Sequence, residues 1–106
     1  MAWIYLTIAG IFEVVWAFAM KQSDGFTRPG PTAVTIVAMI ASFALLALSM
    51  KSLPLGTAYT IWTGIGAIGA FLVGIFMLGE QANAMRIVAA LLIVSGLILM
   101  KLSSPA

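Results

Sequence analysis

The sequence contains no cysteine and no histidine. Without cysteine there is no disulfide framework, no thiolate metal site and no sulfur nucleophile. Without histidine the commonest metal ligand and the usual general base are missing. Ser/His/Asp catalysis is therefore impossible, and no enzymatic activity, metal or cofactor is expected. Charge is almost as scarce: 5 Lys and Arg against 3 Asp and Glu in 106 residues, or 8%. A soluble domain is roughly 25% charged, and a domain this small needs a polar skin because so much of it is surface. The net charge of +2 is far below a nucleic-acid footprint, so no nucleic-acid partner is expected. What the chain has instead is apolar sequence, 63% of it. The solvent that suits it is a lipid bilayer.

Charges and prolines divide the chain into four apolar segments. Ala2–Met20 holds 19 residues and one charge, Glu13; Thr32–Met50 holds 19 and no charge; Leu55–Gly79 holds 25 and no charge. Each is long enough for the ~20 residues that cross a hydrocarbon core. The fourth, Ile87–Met100, has 14 residues between Arg86 and Lys101, roughly 21 Å of helix. Its flanking cations can snorkel outward and lengthen it, and it has no polar face on which to lie at the surface. The expectation is one all-α transmembrane domain over residues 1–106, with helices over about 2–20, 32–50, 55–79 and 85–102. The four prolines, Pro29, Pro31, Pro54 and Pro105, are expected outside the helices. The connections Lys21–Pro31, Lys51–Pro54 and Glu80–Arg86 are short, so neighbouring helices run antiparallel. The N-terminus lacks the basic n-region of a cleavable signal peptide. No internal repeat or low-complexity stretch stands out.

Loop charges do not orient the chain. Lys51 and Lys101 share one side with the N-terminus; Lys21, Arg28 and Arg86 lie on the other. The terminal amine levels that count, so the positive-inside rule favours neither side. Insertion both ways, with oppositely oriented copies pairing, and a single orientation set by weaker biases both stay open.

Glu13 falls near the middle of its span. An ionisable group at that depth is a functional-site hypothesis by default, and no Lys or Arg lies at comparable depth to pair with it. It binds a proton or a cation, or else it is a neutral acid hydrogen-bonding helices together. Leu6, Ala9, Gly10, Trp16, Ala17 and Met20 share its face at helical spacing, and the small residues among them leave room for a helix or a ligand. In the second span Thr35, Ser42 and Ser49 recur every seven residues. For Thr35 and Ser49 the simpler reading is bonding to their own preceding turn; Ser42 is as deep as Glu13 and is a candidate for the same site. Tyr59 and Trp62 share a face of the third span with Thr63 and Gly66. Tyr59 is near enough to the span's end to serve as an interfacial belt residue, whereas a deep Trp62 indole needs an acceptor. Gly64, Gly66, Gly69 and Gly74 crowd the same helix, for close packing or for bending. Ala89 and Gly96 form a weak small-residue seam for dimerisation. One chain of four helices has no space for a water-accessible site; two chains would bring two Glu13 carboxylates into one cavity.

Over essentially its whole length the chain resembles the small multidrug resistance family. The resemblance rests on four spans, on the acid within GIFEVVWA, and on KSLPLGTAYTIWTGIGA opening the third span. Trp16 three residues after Glu13, with the loop KQSDGFTR, resembles the guanidinium-exporter subtype. That resemblance implies an antiparallel, dual-topology homodimer in the bacterial plasma (inner) membrane, exchanging protons for guanidinium. It also implies that Glu13 of both subunits binds the cargo, oriented by Trp16, Ser42, Tyr59 and Trp62. Gly10, Gly64 and Gly66 are expected as hinge or packing positions. Thr60 departs from the small alanine expected after the tyrosine and leaves the fine substrate range open. The alternative cargo is the quaternary ammonium and hydrophobic cations of a multidrug exporter. Guanidinium ranks first because a planar N–H-rich cation matches a carboxylate bidentately and suits an indole face, while a quaternary ammonium has no N–H to donate.

Overall fold

The computed structural model describes residues 1–104 and contains four helices: α1 (Ala2–Gln22), α2 (Pro29–Ser49), α3 (Leu55–Leu78) and α4 (Ala84–Leu102). All four are long and apolar enough to cross a membrane. The expected start of α2 shifts for a local chemical reason, while α4 begins within one residue of its expected start. Pro29 and Pro31 lie inside α2, not before it. They occupy its first turn, where an N–H would have no intrahelical partner and the fixed φ of proline is already helical. Pro54 caps the start of α3, and Pro105 lies outside the described residues. The apolar core of the fourth segment is extended on both sides into a 19-residue helix. Asn83 makes this start: its Oδ1 accepts the Arg86 N–H at 2.9 Å, the N-cap bond that a helix needs at its open end.

The helices form an open row rather than a closed four-helix bundle. α2 packs on α1, α1 on α3, and α3 on α4, while α2 and α3 barely meet. The Cα trace is accordingly flat, 42 × 35 × 16 Å. Lipid provides no hydrophobic drive between helices, so close approach through small residues decides which faces meet. α1 buries Leu6, Ala9, Gly10 and Ala19, and α2 buries Thr35, Ala38, Ser42 and Ser49. The seven-residue hydroxyl stripe of α2 is thus its buried face. Thr35 Oγ1 donates to the Pro31 carbonyl (2.8 Å) and Ser49 Oγ to that of Leu46 (2.7 Å), each within its own helix. α4 buries no residue. Its cations fold back onto aromatic rings, Arg86 over Phe71 at 5.4 Å and Lys101 over Trp3 at 4.6 Å. These contacts hold the ends of α4 against α3 and α1.

The α1–α2 turn is built on Ser23, which is fully buried. Its Oγ donates to the Met20 carbonyl (2.7 Å) and accepts the Phe26 N–H (3.1 Å). Asp24, Gly25 and Phe26 all have positive φ, at 50°, 70° and 66°, which folds the chain back within a few residues. α3 stops at Gly79, whose φ of 69° is the left-handed conformation that a glycine C-terminus supplies without a Cβ penalty.

Candidate functional site

Glu13 lies on the face of α1 turned toward α3. There it rests on Gly66: a Cβ at position 66 would overlap the Glu13 carboxyl group. The close approach of the two helices continues at Gly10, where a Cβ would meet Ile65, and at Gly69, where it would meet Val14. The α3 glycines therefore pack along α1, and Gly66 makes the seat of the carboxyl. Gly64 points the other way, onto Leu97 of α4. The helix is continuous through all of them, with no break between Leu55 and Leu78.

One oxygen of the seated carboxyl, Oε1, is buried with no hydrogen-bond partner, and so is the indole Nε1 of Trp16 one turn away. An unpaired buried polar group costs about 1–3 kcal/mol, more when charged. Among the described residues no cation pairs with Glu13. An acceptor and a donor left open within one turn of α1 form a place where a ligand with matching groups, or a proton on the carboxyl, removes a standing penalty.

Ser42 and Trp62 complete each other instead of pointing at the acid. Ser42 Oγ donates to the Ala9 carbonyl at 2.7 Å and accepts the Trp62 Nε1–H at 2.9 Å. Both side chains are buried. The expected need of the deep indole for an acceptor is met here, by a hydroxyl 20 residues earlier in the chain. The chain of bonds ties α3 to α2 and α2 to α1, one turn before Glu13. Ser42 keeps one lone pair uncommitted.

Tyr59 makes no hydrogen bond to the carboxyl within one protomer. It is 54% exposed, with its ring 5.7 Å from that of Trp62. Phe43 does not stand out by sequence pattern, yet it bridges the two indoles, 6.4 Å from Trp16 and 5.8 Å from Trp62. Its place next to Ser42 at mid-span is the one signal that points to it. The aromatic run Trp16–Phe43–Trp62–Tyr59 crosses three helices beside the acid. Ala89 and Gly96 lie on α4; Ala89 is exposed, and a Cβ at Gly96 would meet nothing within 4 Å. Among the described residues no group of His, Cys, Asp or Glu is placed to hold a metal ion.

Fold and site together define a small, all-helical, multi-pass membrane protein with a single carboxylate, Glu13, deep within its spans. The chain belongs to the small multidrug resistance family, whose model, described as Small Multidrug Resistance protein, matches residues 1–93. It is 58% identical over 104 residues to the guanidinium exporter of Escherichia coli (strain K12), covering 98% of this chain and 99% of that protein. It is likewise 56% identical to the guanidinium exporter of Yersinia pestis (98% and 100% covered) and 54% identical to that of Citrobacter freundii (98% and 99%).

Proposed function

We propose that this protein exports guanidinium ion and small substituted guanidinium compounds in exchange for protons, as an antiparallel homodimer in the bacterial inner membrane. The observation that carries the reading is Glu13: the one carboxylate deep within the spans, seated on Gly66, with a buried oxygen left unpaired. The names of relatives more than half identical over nearly the full chain support the cargo.

The mechanism follows from one carboxylate serving two cations. When ionised, Glu13 accepts N–H groups from a planar guanidinium in a two-pronged, charge-assisted contact. When protonated, it has neither the charge nor the second open oxygen, and the cargo leaves. Proton and cargo therefore exclude each other, which couples their opposed movements. The flat, open row of helices leaves the Glu13 side uncovered by α4, and a second copy would close it into a cavity shared by two carboxylates. Two such acids titrate as a coupled pair. Ser42, locked between Ala9 and Trp62, offers its spare lone pair to a further cargo N–H, while Trp16, Phe43 and Trp62 wall the site with π faces that suit a flat cation.

The testing experiment reconstitutes the protein in liposomes and measures proton-coupled current on addition of guanidinium, with Glu13→Gln as comparison. The wild type responds, and the near-isosteric amide variant folds but neither binds nor exchanges. Robust coupled flux through the amide variant overturns the mechanism.

A further inference from the structure

The seam between α1 and α3 is tight along one stretch and open beyond it. It is closed at Gly10, Gly66 and Gly69, where a Cβ would strike Ile65, Glu13 and Val14 on the facing helix. Toward the C-terminal ends of both helices it widens into a cavity of about 200 Å³. Ala17 and Lys21 line it from α1, Ala70 and Gly74 from α3, and Glu80 from the loop that follows. Ala17 stands one turn after Glu13 and Ala70 one turn after Gly66, so the cavity lies on the same seam as the carboxyl seat. Gly74 differs from the tight glycines. What a Cβ there would strike is not α1 but the Glu80 carboxyl, folded back against the last turn of α3. The backbone holds it in that place: the Glu80 N–H donates to the Gly74 carbonyl at 2.9 Å, across the left-handed turn at Gly79.

A carboxylate there is unbalanced. It lies at the C-terminal end of α3, where the helix dipole already presents partial negative charge. Among the described residues its side chain has no hydrogen bond or ion pair. Lys21 lines the same cavity from α1, and its side chain has no such partner either. Two opposite charges border one gap without meeting, on helices that touch one turn further in. Pivoting about the tight stretch closes the gap and brings the charges together. That stretch contains the Glu13–Gly66 contact, so movement at the outer end is passed to the seat of the acid.

We propose that Lys21 and Glu80 are the two halves of an ionic latch, closed in one of the two conformations between which each protomer alternates. The proposal rests on the antiparallel exchange mechanism for that alternation. Two antiparallel copies in identical conformations would expose their shared cavity equally to both faces. Opening to one face at a time therefore requires the copies to differ, one latched and one unlatched. The crossing between those states, with both copies midway, has neither latch fully made. The latch stabilises both resting states but not the crossing, so its loss speeds alternation.

The experiment uses the full-length protein in liposomes and reads the maximal rate of proton-coupled guanidinium exchange. Glu80→Gln raises that rate by up to about fivefold, the range of one exposed ion pair. The swap Lys21→Glu with Glu80→Lys returns it to the wild-type value. Neither change alters the number of loop cations that orient the chain. In the cysteine-free background, Lys21→Cys with Glu80→Cys is joined within one chain by the shortest bis-methanethiosulfonate, and exchange stops until the linker is reduced. A Glu80→Gln rate at or below wild type overturns the proposal, as does a swap no closer to wild type than the single variant. So does a linker that fails to join the pair within one chain, or a joined protein that exchanges at full rate. A wild type with no guanidinium current refutes the exchange reading instead; the linkage, read by mass on the same protein, still tests whether the two residues meet.

Discussion

Gly66→Ala places one methyl group where the Glu13 carboxyl now sits. The added Cβ would overlap Oε1 and Cδ and lie 2.8 Å from Cγ, whereas carbon atoms in contact settle at about 3.5–4.0 Å. The carboxyl must swing away by about an ångström or α1 and α3 must part. Overpacking of this kind costs about 1–3 kcal/mol, offset by the roughly 1 kcal/mol by which alanine exceeds glycine as a helix former. The net loss of stability is therefore about 0–2 kcal/mol. The atoms struck are the end of a flexible side chain, so rotation of Glu13 is the cheaper response, at about 0.5–1.5 kcal/mol for an off-rotamer torsion. The carboxylate then leaves its seat and gives up a charge-assisted hydrogen bond to the cargo, about 1.5–3 kcal/mol. That corresponds to a roughly tenfold to hundredfold loss of guanidinium affinity. Guanidinium titration by calorimetry or tryptophan fluorescence, with thermal unfolding on the same detergent sample, reads both quantities. Gly64→Ala is the comparison: its Cβ strikes Leu97 on α4 and costs stability without reaching the carboxyl. A Gly66→Ala protein that binds guanidinium within a factor of about two of wild type refutes the packing of Glu13 on that glycine as a determinant of the site.

Ser42→Ala removes the acceptor of the buried Trp62 indole and the donor to Ala9; it should cost about 1–3 kcal/mol, seen as a lower unfolding temperature and a shifted tryptophan emission. Gly96→Ala meets nothing within the protomer, so helix propensity alone makes it neutral or slightly stabilising. If α4 pairs with a second copy through Ala89 and Gly96, the same variant should instead dissociate the dimer in cross-linking or light scattering. Because proton and cargo compete for one carboxylate, guanidinium affinity should fall as pH falls, steepening toward about tenfold per pH unit where Glu13 is mostly protonated; calorimetry across pH checks this, and a pH-independent affinity would be contrary. Single cysteines at Ser52 and Gln81, both exposed, should each label in part from both membrane faces if the chain inserts both ways. Ser23 is unsuitable for such labelling because its hydroxyl and backbone build the first turn.

Four helices and one lone acid are legible from punctuation alone, since charges and prolines in a bilayer protein mark where helices end. Helix starts are less so: Pro29 and Pro31 read as breakers, yet a proline in a first turn loses no hydrogen bond. The fourth apolar run has only 14 uncharged residues, yet the helix expected over about 85–102 is found at Ala84–Leu102, with Asn83 as its cap. Hydroxyl periodicity in α2 identifies its buried face, including the local bonding of Thr35 and Ser49. The pairing of Ser42 with Ala9 and Trp62 is out of reach, because it joins residues 33 and 20 positions apart through helix contacts that composition does not encode. The same holds for the seat of Glu13 on Gly66 and for the bridging position of Phe43. Nor does the sequence announce the open row of helices. Four apolar helices suggest a closed bundle in water, but lipid gives no drive to close one.

Exchange of a proton for an N–H-rich planar cation at Glu13 is tested most directly by proton-coupled currents in reconstituted vesicles, comparing guanidinium with tetramethylammonium in the wild type and in Glu13→Gln. The expected result is a large guanidinium response in the wild type, a small one to tetramethylammonium, and neither in the variant. A wild type that responds more strongly to tetramethylammonium contradicts the cargo, and a variant that still exchanges guanidinium contradicts the mechanism.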